Sequence, residues 1–576
     1  MRVSRAETAI AAALLLLLAS KATAQQVGAP VPLVPPSSVP AAPPPADTSS
    51  ASPAAAPAVP SSDDDIHAAP LPPADPSWLG TLGPADGALP HEMWGGTPRA
   101  LVAAGLPLLR PSTSPVLQDL ARRLLLSDAT APQGQDAPGQ PSLPEQRVDR
   151  LLALGRLDGA ALIDALPQAN ASEAFDRDSV ELRFAANNSD AACKLVQQDA
   201  ARYRNTWWDR AIIACQALSG AYDQAALGLS VMRERKVAPD PVFDALIDTI
   251  DGQRQKLDKL PDPTPLRMAL LAAAKLPLPP DAQANASPAA LEVWATSDKV
   301  AVLQRLPAAE RAEALGALPP DALGLLYASV EAKPEEQQAA LKSGKLPDDA
   351  RGRAILYAAA RNDAPATRIA ALTPLLADAK RRGAFVNVAR LVAPLIVELQ
   401  PSPAVQGFAG DAARVLLATG QNDQAAAWVE LANAPELRIV AAMARPGVED
   451  KAPSLTDAAA SLAARDASAA PRQLDLLTAL LSALGETPEG VAVATLLQPL
   501  HQGMVPPAAL WRDQQQAAVA GRIGETVLTS LILATAGDRL SPEPIILAQV
   551  IGGLKAVGLE ADARALAVEA ALGAGI

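Results

Sequence analysis

Cys193 and Cys215 are the only cysteines of the chain, and its three histidines are His67, His91 and His501. The chemistry that this inventory allows is narrow. A zinc site, or a nucleophile of the Cys/His or Ser/His kind, needs histidine beside cysteine or a carboxylate, and only His91 with Glu92 or Asp86 comes near that pattern. Redox-active cysteine pairs usually stand two residues apart at a helix start, which these do not. Position 204 is their midpoint, inside the polar turn Tyr203-Arg204-Asn205-Thr206. Antiparallel helices set residues equidistant from a turn side by side. A disulfide between Cys193 and Cys215 is therefore expected, worth on the order of 3 kcal/mol by loop closure in an oxidising compartment. Asp63-Asp64-Asp65 lacks the alternation of ligands and turn glycines of a calcium loop and reads as a solvated charge run. No Gly-x-Gly-x-x-Gly follows a strand and no Gly-Lys-Ser/Thr occurs, so phosphate loops are not indicated. The remaining chemistry is that of paired carboxylates, since glycoside cleavage needs only two acids facing a groove. No residue is assigned a catalytic, cofactor-binding or metal-binding role. Trp207 and Trp208 are the candidate partner contacts: adjacent helical positions diverge by ~100°, so one of the two should be more exposed than the other. Trp208 and Trp428 are expected in the core.

These residues must be held by helices. Aromatic residues make up only 3% of the chain, so alanine and leucine must build the core. Small side chains bury little area each, and many closely packed helices must cooperate to reach net stability. The formal charge of -13 disfavours nucleic acid and anionic lipid, and the densest basic run, Lys380-Arg381-Arg382, reads as a solvated helix end. Residues 1–24 have the charged start, apolar stretch and Ala22-Thr23-Ala24 site of a secretory signal. An exported, periplasmic chain with no integral membrane segment after signal removal is the expectation. Residues 25–77, dense in proline and without apolar period, read as a disordered Pro/Ala-rich tether.

Order is expected from Trp78. Residues 78–126 read as capping helices, 127–145 as a loop, and 146–298 as helical repeats with the disulfide hairpin. A short-helix array follows over 299–360, then C-terminal helical repeats over 361–576. Within the short-helix array Pro307, Pro320, Pro334 and Pro347 recur at near-even spacing, which predicts proline at the first position of four short helices.

The phrase Gly220-Ala221-Tyr222-Asp223-Gln224-Ala225 has echoes at Gly155-Arg156-Leu157-Asp158-Gly159-Ala160 and Gly420-Gln421-Asn422-Asp423-Gln424-Ala425. It predicts a helix-to-helix joint: glycine stops one helix, aspartate caps the next, and alanine lets the two approach. With Trp207 and Trp208 early in the preceding helix, residues 207–225 resemble a tetratricopeptide-type repeat, although Ile212-Ile213 stands where that family carries Leu-Gly. The same region, with Ala192-Cys193 before it, resembles uncharacterised exported proteins of proteobacteria, a likeness that supplies no mechanism. The first resemblance implies an all-α solenoid of helical hairpins offering a groove to a protein or peptide, with no catalytic residue and no cofactor. A non-catalytic periplasmic binding scaffold is the expected function. The alternative is cell-wall (murein) recognition, or a carboxylate-based glycan hydrolase on the same superhelix.

Overall fold

Helices begin where the sequence can cap them. Ser114, Ser172, Asn188, Asn205, Asp240, Thr264, Ser287, Asp349 and Ser454 each accept a backbone N–H of the first turn with their side chains. The computed structural model describes residues 76–166, 172–253, 255–343, 347, 349–445, 454–486, 507–536 and 543–576. The expected signal, almost all of the Pro/Ala segment, His67, Asp63 to Asp65 and His501 lie outside the described residues. Among those described there are 27 α-helices and no strand, as an all-α fold requires. No helix among them is long and apolar enough to cross a membrane.

The glycine joint forms at all three places. Gly155, Gly220 and Gly420 have φ of 69°, 84° and 70°, the left-handed region that favours glycine. At each, the glycine N–H and the N–H after it bond back to consecutive carbonyls of the helix just ended, as in Ala221 N–H to Gln216 O at 2.8 Å. The aspartates act differently from expectation. Ala221 and Gln421 are themselves the N-caps of Tyr222–Glu234 and Asn422–Ala432, so Asp223 and Asp423 already lie in the first turn. There their charge faces the positive helix end without a capping bond. Asp158 does occupy an N-cap, but makes no capping bond and instead accepts from Arg122 Nε at 2.6 Å.

Two of the four spaced prolines also depart from expectation. Pro320 and Pro334 open Pro320–Ala328 and Pro334–Ser343. Pro307, however, sits inside Val302–Ala314, whose start at Val302 places it in the second turn. Pro347 precedes Ala350–Ala360, which is capped by Asp349. The basic run is not merely solvated either. Arg381 and Arg382 bond the fully buried Asp378 at 2.6 and 2.7 Å, and Arg353 approaches it at 3.7 Å. Burial alone would raise Asp378, but these arginines outweigh it and hold the carboxyl below its ordinary value.

Pro73–Ile576 forms one compact unit in which many helices pack on others close in sequence. The array then closes on itself. Arg99–Gly105 and Pro115–Leu126 near its start pack against Ile523–Thr535 and Glu560–Gly573 near its end. Val116 N–H donates to Glu569 Oε2 at 3.1 Å, Arg123 pairs with Asp562 at 2.7 Å, and Gly524 N–H donates to Met93 O at 2.7 Å. Around this seam Val102, Leu106, Leu117, Leu120, Leu528 and Leu566 are all buried.

Candidate functional site

The disulfide-braced region is built from four consecutive helices, Glu173–Ala185, Ser189–Asp199, Thr206–Leu218 and Tyr222–Glu234. Asn205 Oδ1 accepts from Trp207 N–H and Trp208 N–H at 3.1 and 3.4 Å, which starts the third helix and sends the two indoles in different directions. Trp208 is 1% exposed, stacks on Tyr203 at 5.3 Å and donates from Nε1 to Glu173 Oε1 at 3.3 Å. Trp207 is half-buried: its ring meets Trp208 edge-on at 4.8 Å and lies under the Arg177 guanidinium, also at 4.8 Å. Trp428, at 2% exposure, is core like Trp208.

Cys193 and Cys215 are joined in a disulfide with Cα atoms 5.5 Å apart, tying the second helix to the third. Beneath the turn between them, Tyr203 Oη donates to Asp176 Oδ2 at 2.7 Å and Arg202 pairs with the same oxygen at 3.2 Å. Burial nevertheless raises Asp176 above its ordinary value.

The fourth helix packs on the third and on Pro241–Ile250, which follows it. Its inner face carries Ala225, Leu229 and Met232, all buried. Gly228 lets it come close to the third helix, since a β-carbon there would stand 2.7 Å from Ile213 Cγ1. Outward it leaves Tyr222, Leu227 and Val231 at 44%, 65% and 42% exposure. Leu227 and Val231, four residues apart, lie on one stripe of the helix.

A second feature lies elsewhere in the array. Glu310 and Glu313 of Val302–Ala314, with Tyr327, Arg353, Arg382 and Asn387, line a cleft of about 50 Å³. Arg353 holds Glu310 through two bonds of 2.8 and 2.7 Å, and Tyr327 Oη donates to it at 2.6 Å. Glu313 is buried, its Oε1 has no hydrogen-bond partner, and Arg390 stands 3.8 Å away. Burial pushes Glu313 up to about 7, Arg390 opposing. An arginine-paired carboxylate beside a buried one that takes up a proton is the pattern of an acid/base pair. The space, however, is that of a few water molecules and not of a sugar ring.

His91 lies 3.8 Å from Asp128, with both side chains about half exposed. The sequence reading missed Glu310, Glu313 and Arg353. The two glutamates stand three apart on one helix, which was readable, but nothing local announced an arginine from Ala350–Ala360.

Compared with family models, with curated proteins and with solved structures, the chain matches none.

Proposed function

We propose that this chain is an exported, non-catalytic helical scaffold that holds a protein or peptide partner, working in the periplasm. The observation that carries this reading is the apolar stripe of Leu227 and Val231, exposed on a helix whose backing hairpin is braced by the Cys193–Cys215 disulfide. Large apolar side chains presented on a rigid support favour partner binding, because ordering them costs little when the partner arrives. The disulfide supports an oxidising compartment. The Gly-Ala-Tyr-Asp-Gln-Ala joint supports kinship in kind with tetratricopeptide-type scaffolds. Trp207, half-buried under Arg177, is the second partner contact we assign.

A photo-crosslinking residue placed at Leu227 in intact cells tests the proposal. We expect one discrete adduct that disappears when Val231 is changed to Asp and does not form from Leu325, which is 73% exposed on a different helix. Equal labelling from both positions would refute the assignment.

The second reading, murein recognition or a carboxylate-based glycan hydrolase, draws on the Glu310 and Glu313 pair. Purified protein incubated with murein sacculi distinguishes the two. The scaffold reading expects neither co-sedimentation nor soluble muropeptides, and release of muropeptides that is lost in Glu313→Gln would establish the hydrolase.

A further inference from the structure

Other buried acids of the array have donors close at hand. Glu181 Oε2 accepts Leu266 N–H at 2.8 Å, and Glu525 holds Arg522 through bonds of 2.9 and 2.7 Å. Glu313 is different. It is 3% exposed, its Oε1 has no hydrogen-bond partner, and its carboxyl meets Arg390 at 3.8 Å, too far for a hydrogen bond. An acceptor buried in this way has lost its water without replacement, so a ligand that donates to it gains more than it would in the open.

Glu313 borders the cleft of about 50 Å³, and on the same walls the spare groups are donors. Arg353 spends Nε and Nη2 on Glu310, and its Nη1 stops 3.7 Å from Asp378. Arg382 spends Nε on Asp378, and Asn387, 4% exposed, reaches Ala314 O only at 3.5 Å. Charge narrows the choice of ligand further. Glu310, Glu313 and Asp378 stand against Arg353, Arg381, Arg382 and Arg390, so the surroundings do not call for another cation. A carboxylate would set its own oxygens against Glu313. A neutral group that both donates and accepts suits both kinds of wall, and the volume, room for about four water-sized groups, restricts it to a small head group.

We propose that this cleft binds a primary carboxamide, its NH2 donating to the Glu313 carboxyl and its carbonyl accepting from Arg353 or Arg382. The same head group comes from two sources, a free small amide and a glutamine side chain of a peptide. The site lies on other helices than the Leu227 and Val231 stripe and does not depend on the scaffold reading.

Acetamide, acetate and acetamidinium are nearly the same shape and differ in charge, so they test this. Each is titrated into the whole protein at pH 8, above the value of about 7 to which burial pushes Glu313, while the methyl resonances of Leu323 and Leu391 on the cleft wall are followed. Acetamide should bind with a Kd on the order of 1 mM, and the two charged probes about tenfold more weakly or not at all. Glu313→Leu should abolish the acetamide shifts, whereas Glu292→Leu, at a buried acid that does not line the cleft, should leave them. A capped peptide whose sole primary amide is a glutamine side chain separates the sources: tighter binding than acetamide assigns the cleft to a peptide, weaker binding to a free amide. No acetamide binding, or acetate or acetamidinium binding as tightly, overturns the proposal in the unmodified protein. Acetamide shifts that persist in folded Glu313→Leu overturn it as well.

Discussion

At the scale of single residues, buried acids make stability depend on pH. Glu181, Glu292 and Glu313 are each under 10% exposed, and burial pushes them up to about 7, 8 and 7. Their value in the unfolded chain is the ordinary 4.5, so between that value and about 8 the folded form holds protons that the unfolded form has lost. Their contribution to stability is therefore fully present below pH 4.5 and is lost as pH rises toward 8. Urea midpoints measured at pH 5 and pH 8 should show the protein markedly more stable at pH 5, and the reverse order would contradict this account. The pair Trp207 and Trp208 was legible in the sequence, because helical geometry alone forces neighbours onto different faces. The cysteine pairing was legible for a similar reason, as one polar turn lies midway between them. The Glu310 and Arg353 pair was not, since 43 residues and several turns separate the two partners.

At the scale of elements, the glycine joints were readable because a positive φ leaves a mark on residue type. The roles of Pro307 and Pro347 were not. Regular spacing announced proline at helix starts, but Val302 begins this helix earlier, so that Pro307 lies in its second turn and forgoes one carbonyl–amide bond. Helix ends capped from afar, by Glu181 and Glu569, leave no local signature whatever. The packing of Thr206–Leu218 on Tyr222–Glu234 yields a direct test. Alanine is the better helix former, yet Gly228→Ala sets its methyl group against Ile213, a stiff β-branched residue that is 3% exposed. We expect a loss of about 1–3 kcal/mol. Adding Ile213→Val should recover part of it, and a double-mutant cycle with no coupling would show that the helices do not touch there.

At the scale of the whole array, closure changes how the fold comes apart. An open stack of repeats has free ends that fray and unfolds roughly as a sum of neighbour interactions. Here the first helices lie on the last, so loss of either end deprives the other. Chemical denaturation followed by tryptophan fluorescence and by helical circular dichroism should give coincident single transitions, with Trp94 and Trp428 reporting the same midpoint as the backbone. Separate transitions would mean that the seam contributes little. The seam also sets a timetable for biogenesis. Arg123 meets Asp562 across 439 residues, so the helix made early must wait for almost the entire chain before its apolar face is covered. During synthesis that face of Leu117, Leu120 and Leu124 is a binding target for holding chaperones and an opening for proteases, until the final helices arrive to relieve it.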